Sequence, residues 1–404
     1  MPNKDKNIPK RRFKAFENAD AWELRKLRNI FHNIENAFVG IVTPHYVSDG
    51  RFYLESNNIK DGQVNYETKV FISEEFYQRQ KNKWLRAGDI VMVQSGHVGH
   101  SAVIPEELDC SAAHALIMFR KQKVKISSNF LNYQFQTKQS KKKLDLITTG
   151  NTIKHILSSE MKEFNAYFPS LPEQSAIGTF FSTLDRQITL HQRKLDKLKN
   201  VKQAYLSEMF PAEGERVPKR RFPGFTDAWE LRKLGEVVYR SNITSSSKVL
   251  PRLEFEDINS GLGTLNKDIF QKVNDDRKGL EFNEGDVLFG KLRPYLKNWW
   301  YAEFNGIALG DFWNLKSDVW HSCFLYTYIQ SNAFQLVAND TSGTKMPRSD
   351  WNLVAESIAK FPSLPEQKAI GTFFSTLDSQ ITLHQRKLEK LKNLKKALLN
   401  ELFV

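Results

Sequence analysis

The sequence predicts an α+β chain: two globular domains separated by two long antiparallel coiled-coil helices, with a pseudo-two-fold internal repeat. Three observations predict it. Two distant stretches carry nearly the same residues. Each has a heptad-like apolar seam. The blocks that precede them mix strand-like and helix-like runs and share little with each other.

The repeat comes first, because it organises everything else. Residues 168–210 read FPSLPEQSAIGTFFSTLDRQITLHQRKLDKLKNVKQAYLSEMF, and 361–403 read FPSLPEQKAIGTFFSTLDSQITLHQRKLEKLKNLKKALLNELF, so 35 of 43 positions coincide. A shorter repeat opens each half: KRRFKAFENADAWELRKL at 10–27 and KRRFPGFTDAWELRKL at 219–234. The order of short repeat, variable block and long repeat therefore occurs twice. It sets the boundaries 1–166 for a first domain with an N-terminal arm and 167–212 for a first spacer helix. A second domain takes 213–359 and a second spacer helix 360–404. The variable blocks, 28–160 and 235–355, keep two faint echoes. AGDIVM (87–92) answers EGDVLF (284–289), and TTGNT (148–152) answers TSGT (341–344). One fold used for two different targets would look like this.

Each long repeat reads as a helix. Ser170 precedes Glu173 by three residues and Ser363 precedes Glu366 by three, which is capping-box spacing, with a proline in the first turn. A run from 171 to 209 would span about 58 Å at 1.5 Å per residue. Apolar positions step by four and three through Ile177, Phe181, Leu184, Ile188, His191, Leu195, Leu198 and Tyr205. In the second copy they are Ile370, Phe374, Leu377, Ile381, His384, Leu388, Leu391 and Leu398. Such a seam needs a partner. Antiparallel pairing makes the halves equivalent and sets His191 against His384 as polar register positions. Phe180 and Phe373, beside Phe181 and Phe374, make the stripe wider than a two-helix seam requires. The interface set is thus Phe180, Phe181, Leu184, Ile188, His191, Phe373, Phe374, Leu377, Ile381 and His384, and helices of another protein, rather than the variable blocks, are expected over the surplus.

Composition narrows the function. The net charge is +13, from 59 Lys+Arg against 46 Asp+Glu, which points to a polyanionic partner. Two cysteines, Cys110 and Cys323, make neither a disulfide framework nor a zinc cluster and fit a reducing cytoplasm. The basic N-terminus lacks the apolar core of a secretory signal, and no stretch approaches the ~18 apolar residues of a membrane span.

Within the variable blocks, 64–72, 89–93 and 286–289 read as strands, and 128–142 and 322–338 as helices. The stripes Phe130, Tyr133, Phe135 and Phe324, Tyr326, Tyr328 read as core rather than base-stacking platforms. The candidate nucleic-acid contacts are polar loops. In the first block they hold Gln94, Ser95, His97, Thr149, Asn151 and Lys154; in the second, Lys291, Arg293, Tyr295, Lys297, Ser342, Thr344, Lys345 and Arg348. Arg, Lys, Asn and Gln can read base edges, and hydroxyls and loop N–H groups suit phosphates. Ordinary turns use the same residue types.

Catalytic motifs fail on inspection. GDVLFGKL (285–292) has the GxxxxGK spacing of a phosphate loop, but Leu292 stands where the magnesium-binding Ser/Thr belongs. His97 and His100 lack a third metal ligand in sequence. Glu67-Thr68-Lys69 is half a nuclease signature and common in lysine-rich chains. No catalytic residue and no metal ligand is assigned.

Together these phrases resemble the specificity subunit of type I restriction–modification systems. The resemblance rests on LPEQ opening each long helix (171–174 and 364–367), on GDVL followed by KLRPY (285–295), and on the two WELRKL openings. It implies two target-recognition domains reading a split, asymmetric site in double-stranded DNA, with the helices as spacer; about 58 Å corresponds to about 17 base pairs at 3.4 Å each. It implies two methyltransferase subunits that methylate adenine, and motor-nuclease subunits that cleave unmethylated DNA. S-adenosylmethionine, ATP and Mg would be bound by those partners and no cofactor by this chain. The first block departs from the second, with Val93-Gln94-Ser95 where the second has Gly290-Lys291-Leu292. A coiled-coil scaffold without DNA reading is the competing expectation.

Overall fold

The continuous apolar runs of both variable blocks become central strands, because each is covered on both faces. The computed structural model describes residues 7–150, 154–270, 275–341 and 346–404. It forms two compact units, Met1–Leu190 with Glu389–Val404, and His191–Leu388.

The first unit is built on an antiparallel sheet in the order Phe31–Asn36, Leu116–Gln122, Ile90–Val93, Ser101–Val103. Alternation divides its side chains. Ile90, Met92, Ile117 and Phe119 pack against helices, with Trp22, Phe130 and Phe135. Val91, Val93, Leu116 and Met118 pack the other way, with Leu54 and Ile104. A second sheet, ordered Ala112–Ala113, Arg51–Leu54, Val70–Ile72, Tyr46–Val47, completes the unit.

The second unit repeats the first sheet strand for strand: Tyr239–Ser241, Phe312–Lys316, Val287–Gly290, Trp299–Tyr301. Its other sheet is ordered differently: Thr244–Ser245, Gly279–Phe282, Gly306–Ala308, Arg252–Leu253. The echo of AGDIVM in EGDVLF thus marks the shared sheet, and the divergence lies in the sheet beside it.

Each short repeat ends in a strand. Glu23–Lys26 pairs antiparallel with Asn165–Phe168, and Glu230–Lys233 with Ile358–Phe361, the strands that lead into the long helices. Trp22 and Trp229 are buried beneath them. The helices run Leu171–Glu208 and Leu364–Glu401. In the first unit the start of one lies antiparallel to the end of the other. Phe181 packs on Phe403 at 5.9 Å between ring centroids, and Lys395 pairs with Asp185 at 2.7 Å. In the second unit the same pairing brings Lys202 to Asp378 at 2.6 Å and Tyr205 to Phe373 at 5.1 Å. Asp185 and Asp378 occupy one repeat position, as do Lys202 and Lys395.

Several expectations need correcting. Residues 64–72 are not one strand: Asn58 binds the carbonyls of Asn65 and Thr68, leaving Gln63–Val64 and Val70–Ile72 as separate strands. The helical stretches are each two helices. Thr137 caps Lys138–Leu146 after Ser128–Phe135, and Ser331 caps Asn332–Ala338 after Ser322–Tyr328. Side-chain caps at these residues restart the helix in a new direction. Glu173 and Glu366, placed in capping boxes by their spacing, instead take Arg12 and Arg221, each through two hydrogen bonds of 2.6–2.7 Å. Part of the surplus of the apolar stripe is covered from within the chain: Phe13 packs edge-on against Phe180 at 5.6 Å, and Phe222 against Phe373 at 5.8 Å, leaving both Phe180 and Phe373 half-buried.

Candidate nucleic-acid interface

In each unit the loop after the third sheet strand meets a loop from the far end of the block. In the first unit, Ile90–Val93 and Ser101–Val103 form a hairpin closed by Val93 N–H to the His100 carbonyl (2.7 Å). Its tip carries Gln94, Ser95 and His97. Gly96 N–H donates to the Lys154 carbonyl (3.2 Å) and Ile156 N–H to that of Gln94 (3.0 Å). His155 then exchanges both backbone hydrogen bonds with Thr149, at 2.8 and 2.9 Å. His97, Thr149 and Lys154 are exposed and Ser95 is half-buried. The Gln94 Oε1 is buried and has no hydrogen-bond partner among the described residues. Asn151 lies outside the described residues.

His100 sits behind His97, ring centroids 6.3 Å apart. Burial holds its imidazole below the usual range against the opposing charge of Asp61, and the charges of Lys141, His97 and Lys60 push the same way as burial. Lys60 and Lys141 therefore belong to this cluster. Sequence reasoning missed them; the only signal was the turn at Asp61-Gly62, both with positive φ, which folds the hairpin of Ile59–Lys60 and Gln63–Val64 back.

The second unit repeats the arrangement with other residues. Gly290 N–H donates to the Asn298 carbonyl (2.7 Å), Arg293 N–H to Pro347 (2.7 Å) and Ser349 N–H to Lys291 (2.9 Å), so that Leu292 bridges Arg348. A Cβ at Gly290 would lie 2.4 Å from the Phe255 ring and 2.9 Å from the Asn298 carbonyl, which is why glycine ends this strand where Val93 ends the other. Lys291 and Arg348 share Asp311, at 3.6 and 3.0 Å. Arg293, Tyr295 and Lys297 are exposed. Ser342, Thr344 and Lys345 lie outside the described residues.

The helix residues gather as two apolar contacts and one polar one. Phe181 and Leu184 are buried, and Phe180 and Ile188 partly so, in the first unit; Phe374, Leu377 and Ile381 are buried in the second. His191 Nδ1 and His384 Nδ1 lie 2.9 Å apart, so one ring donates and the other accepts.

The phosphate-loop spacing is a strand: Val287–Gly290 is buried in the sheet, and Lys291 faces Asp311. Among the described residues no group of three or more His, Cys, Asp or Glu side chains could hold a metal, and no helix is long and apolar enough to cross a membrane.

Residues 20–200 match the family described as Type I restriction modification DNA specificity domain. The chain is 24% identical over 293 residues to the type I restriction enzyme EcoDI specificity subunit of Escherichia coli, covering 63% of this chain and 65% of that subunit, just under two thirds of its length. It is 21% identical over 348 residues to the MjaIX specificity subunit of Methanocaldococcus jannaschii, covering 78% of this chain and 76% of that one. The crystal structure of a type I S subunit from M. genitalium shares the fold, with a TM-score of 0.65 at 15% identity over 98% of this chain and 99% of that one. Through that domain at residues 20–200, and over most of its length in MjaIX, the chain is similar to the specificity subunits of type I restriction–modification systems.

Proposed function

We propose that this chain is the non-catalytic DNA-reading subunit of a type I restriction–modification enzyme. It reads a bipartite, asymmetric site in duplex DNA. One observation supports this most directly: in each unit, two polar loops far apart in sequence are hydrogen-bonded together at the end of the same sheet, and present exposed cations. A shared backbone with different side chains suits two different half-sites. His97, Thr149 and Lys154 face one, with Ser95 and Gln94; Arg293, Tyr295, Lys297, Lys291 and Arg348 face the other.

The chain docks two methyltransferase subunits, which methylate adenine, and motor-nuclease subunits join to cleave unmethylated DNA. Leu190 and Leu383 support a docking role for the helices: they occupy one repeat position and both stay exposed. S-adenosylmethionine, ATP and Mg would act on those partners, and the assembly would work in the cytoplasm. Electrophoretic mobility shifts of the chain with its modification subunit, over a range of salt, test the reading. Sequence-specific binding that weakens steeply with salt is expected. Salt-insensitive or absent binding by the assembled complex would favour a coiled-coil scaffold.

A further inference from the structure

One turn of the second unit raises apolar side chains into solvent between cations. Tyr295 is 56% and Leu296 41% exposed, in the turn Pro294–Leu296. Arg293 and Lys297 flank it, both exposed and both left-handed, with φ of 49° and 57°. L side chains rarely adopt that backbone, and it persists where surroundings enforce it. Here they do. Arg293 N–H donates to the Pro347 carbonyl at 2.7 Å, Lys297 N–H to Pro294 at 2.8 Å and Gly261 N–H to Lys297 at 2.9 Å. The Ser260 hydroxyl donates to the Leu296 carbonyl, and Pro294 itself is buried.

The turn is therefore built to hold a ring and an isobutyl group outward. Apolar groups so held, with a cation on either side, match the chemistry by which proteins unstack a base step while gripping its phosphates. A protein partner would not require paired cations around the apolar tip. Among the described residues, the corresponding loop of the first unit has no such tip. Val98, in the corresponding loop, packs inward against the core, and its neighbour is Gly99.

We propose that Tyr295 and Leu296 form a wedge that enters between two stacked base pairs of the half-site read by the second unit, while Arg293 and Lys297 hold the flanking phosphates. This rests on the DNA-reading function above. The wedge adds readout of deformability at one step, favouring a flexible pyrimidine–purine step without a hydrogen bond to either base.

The test uses the chain assembled with its modification subunit and duplexes carrying the methylated motif, with 2-aminopurine placed in turn along that half-site. Fluorescence is expected to rise at one step on binding. Replacing Tyr295→Ala together with Leu296→Ala should abolish the rise and weaken binding about ten-fold or more, the scale of losing one stacking contact. Leu336→Ala, at an exposed leucine on the helix Asn332–Ala338 outside the turn, should keep both. Co-purification of the modification subunit shows that each variant is folded. Specific binding with no step brightened, or a double variant that binds and brightens like the parent, would overturn the wedge alone. Loss of sequence-specific binding in the parent assembly would overturn the DNA-reading function with it.

Discussion

Arg12 and Glu173 are 161 residues apart and meet through two hydrogen bonds, Nε to Oε1 at 2.7 Å and Nη2 to Oε2 at 2.6 Å. Their side chains are 7% and 1% exposed. The carboxylate holds the guanidinium above its usual pKa, chiefly through these hydrogen bonds. Arg221 and Glu366 repeat the pair in the second unit. The short repeat is thus a clamp on the first turn of the long helix.

Breaking this clamp from one side strands a buried charge. Arg12→Ala should destabilise the first unit by about 3–5 kcal/mol. Arg12→Met with Glu173→Leu should lose much less, since no charge is left behind. Denaturant unfolding followed by tryptophan fluorescence checks both, because Trp22 lies in the same core. Equal losses in the single and double variants would contradict the clamp.

The glycine after LPEQ separates the two copies. A Cβ at Gly371 would lie 2.7 Å from the Cys323 Cβ and 2.9 Å from backbone atoms of Cys323 and Phe324. At Gly178 the nearest atoms are the Ser127 Oγ at 3.0 Å and the Phe130 nitrogen at 3.1 Å. Alanine gains about 0.5–1 kcal/mol of helix preference at either site. Overpacking costs about 1–3 kcal/mol. Gly371→Ala should therefore destabilise, and Gly178→Ala should come out closer to neutral. Melting temperatures of the two variants provide the comparison.

The histidine pair responds to acid. The His384 imidazole is held below its usual value of 6.5, first by desolvation and then by His191, Lys194 and Lys387. The folded chain therefore binds fewer protons at this site than the unfolded chain once pH falls below about 6.5. Stability is lost as pH drops from that value toward the folded pKa and changes little from this source above it. A second proton also removes the acceptor from the Nδ1···Nδ1 contact. His384→Gln should flatten this part of the stability profile between pH 7.5 and 5.5. An unchanged profile would show that the pair does not contribute.

The proposed DNA reading predicts that the exposed loop cations set the salt dependence of binding. Lys154→Ala and Lys297→Ala should each reduce the slope of log K against log salt by about one, if each neutralises one phosphate. Their effect should be similar across DNA sequences. A slope unchanged in both variants would place these lysines off the DNA.

Much of this was legible from residue order. The repeat and its seam identify both long helices, their antiparallel pairing inside each unit, and the meeting of His191 with His384. The polar loops could be named because their Gly, Thr and basic residues interrupt apolar runs. Long-range pairings were not legible. Glu173 has the spacing of a helix cap, and nothing local reveals that Arg12 takes it. Likewise Phe13 and Phe222 cover Phe180 and Phe373 from 167 and 151 residues away. Strand order in the second sheets depends on pairings of two or three residues, too short to carry a period. Lys60 and Lys141 join the first loop cluster only through the fold of a hairpin and a helix.

The most direct test is to co-express the chain with the modification subunit of its own locus in a host free of adenine methylation, then sequence the DNA by a method that detects modified adenine. Methylation at one split motif, two short and different half-sites around a fixed gap, is the predicted result. No methylation from a soluble, assembled complex would contradict DNA reading, and methylation by this chain without its partner would contradict its non-catalytic role.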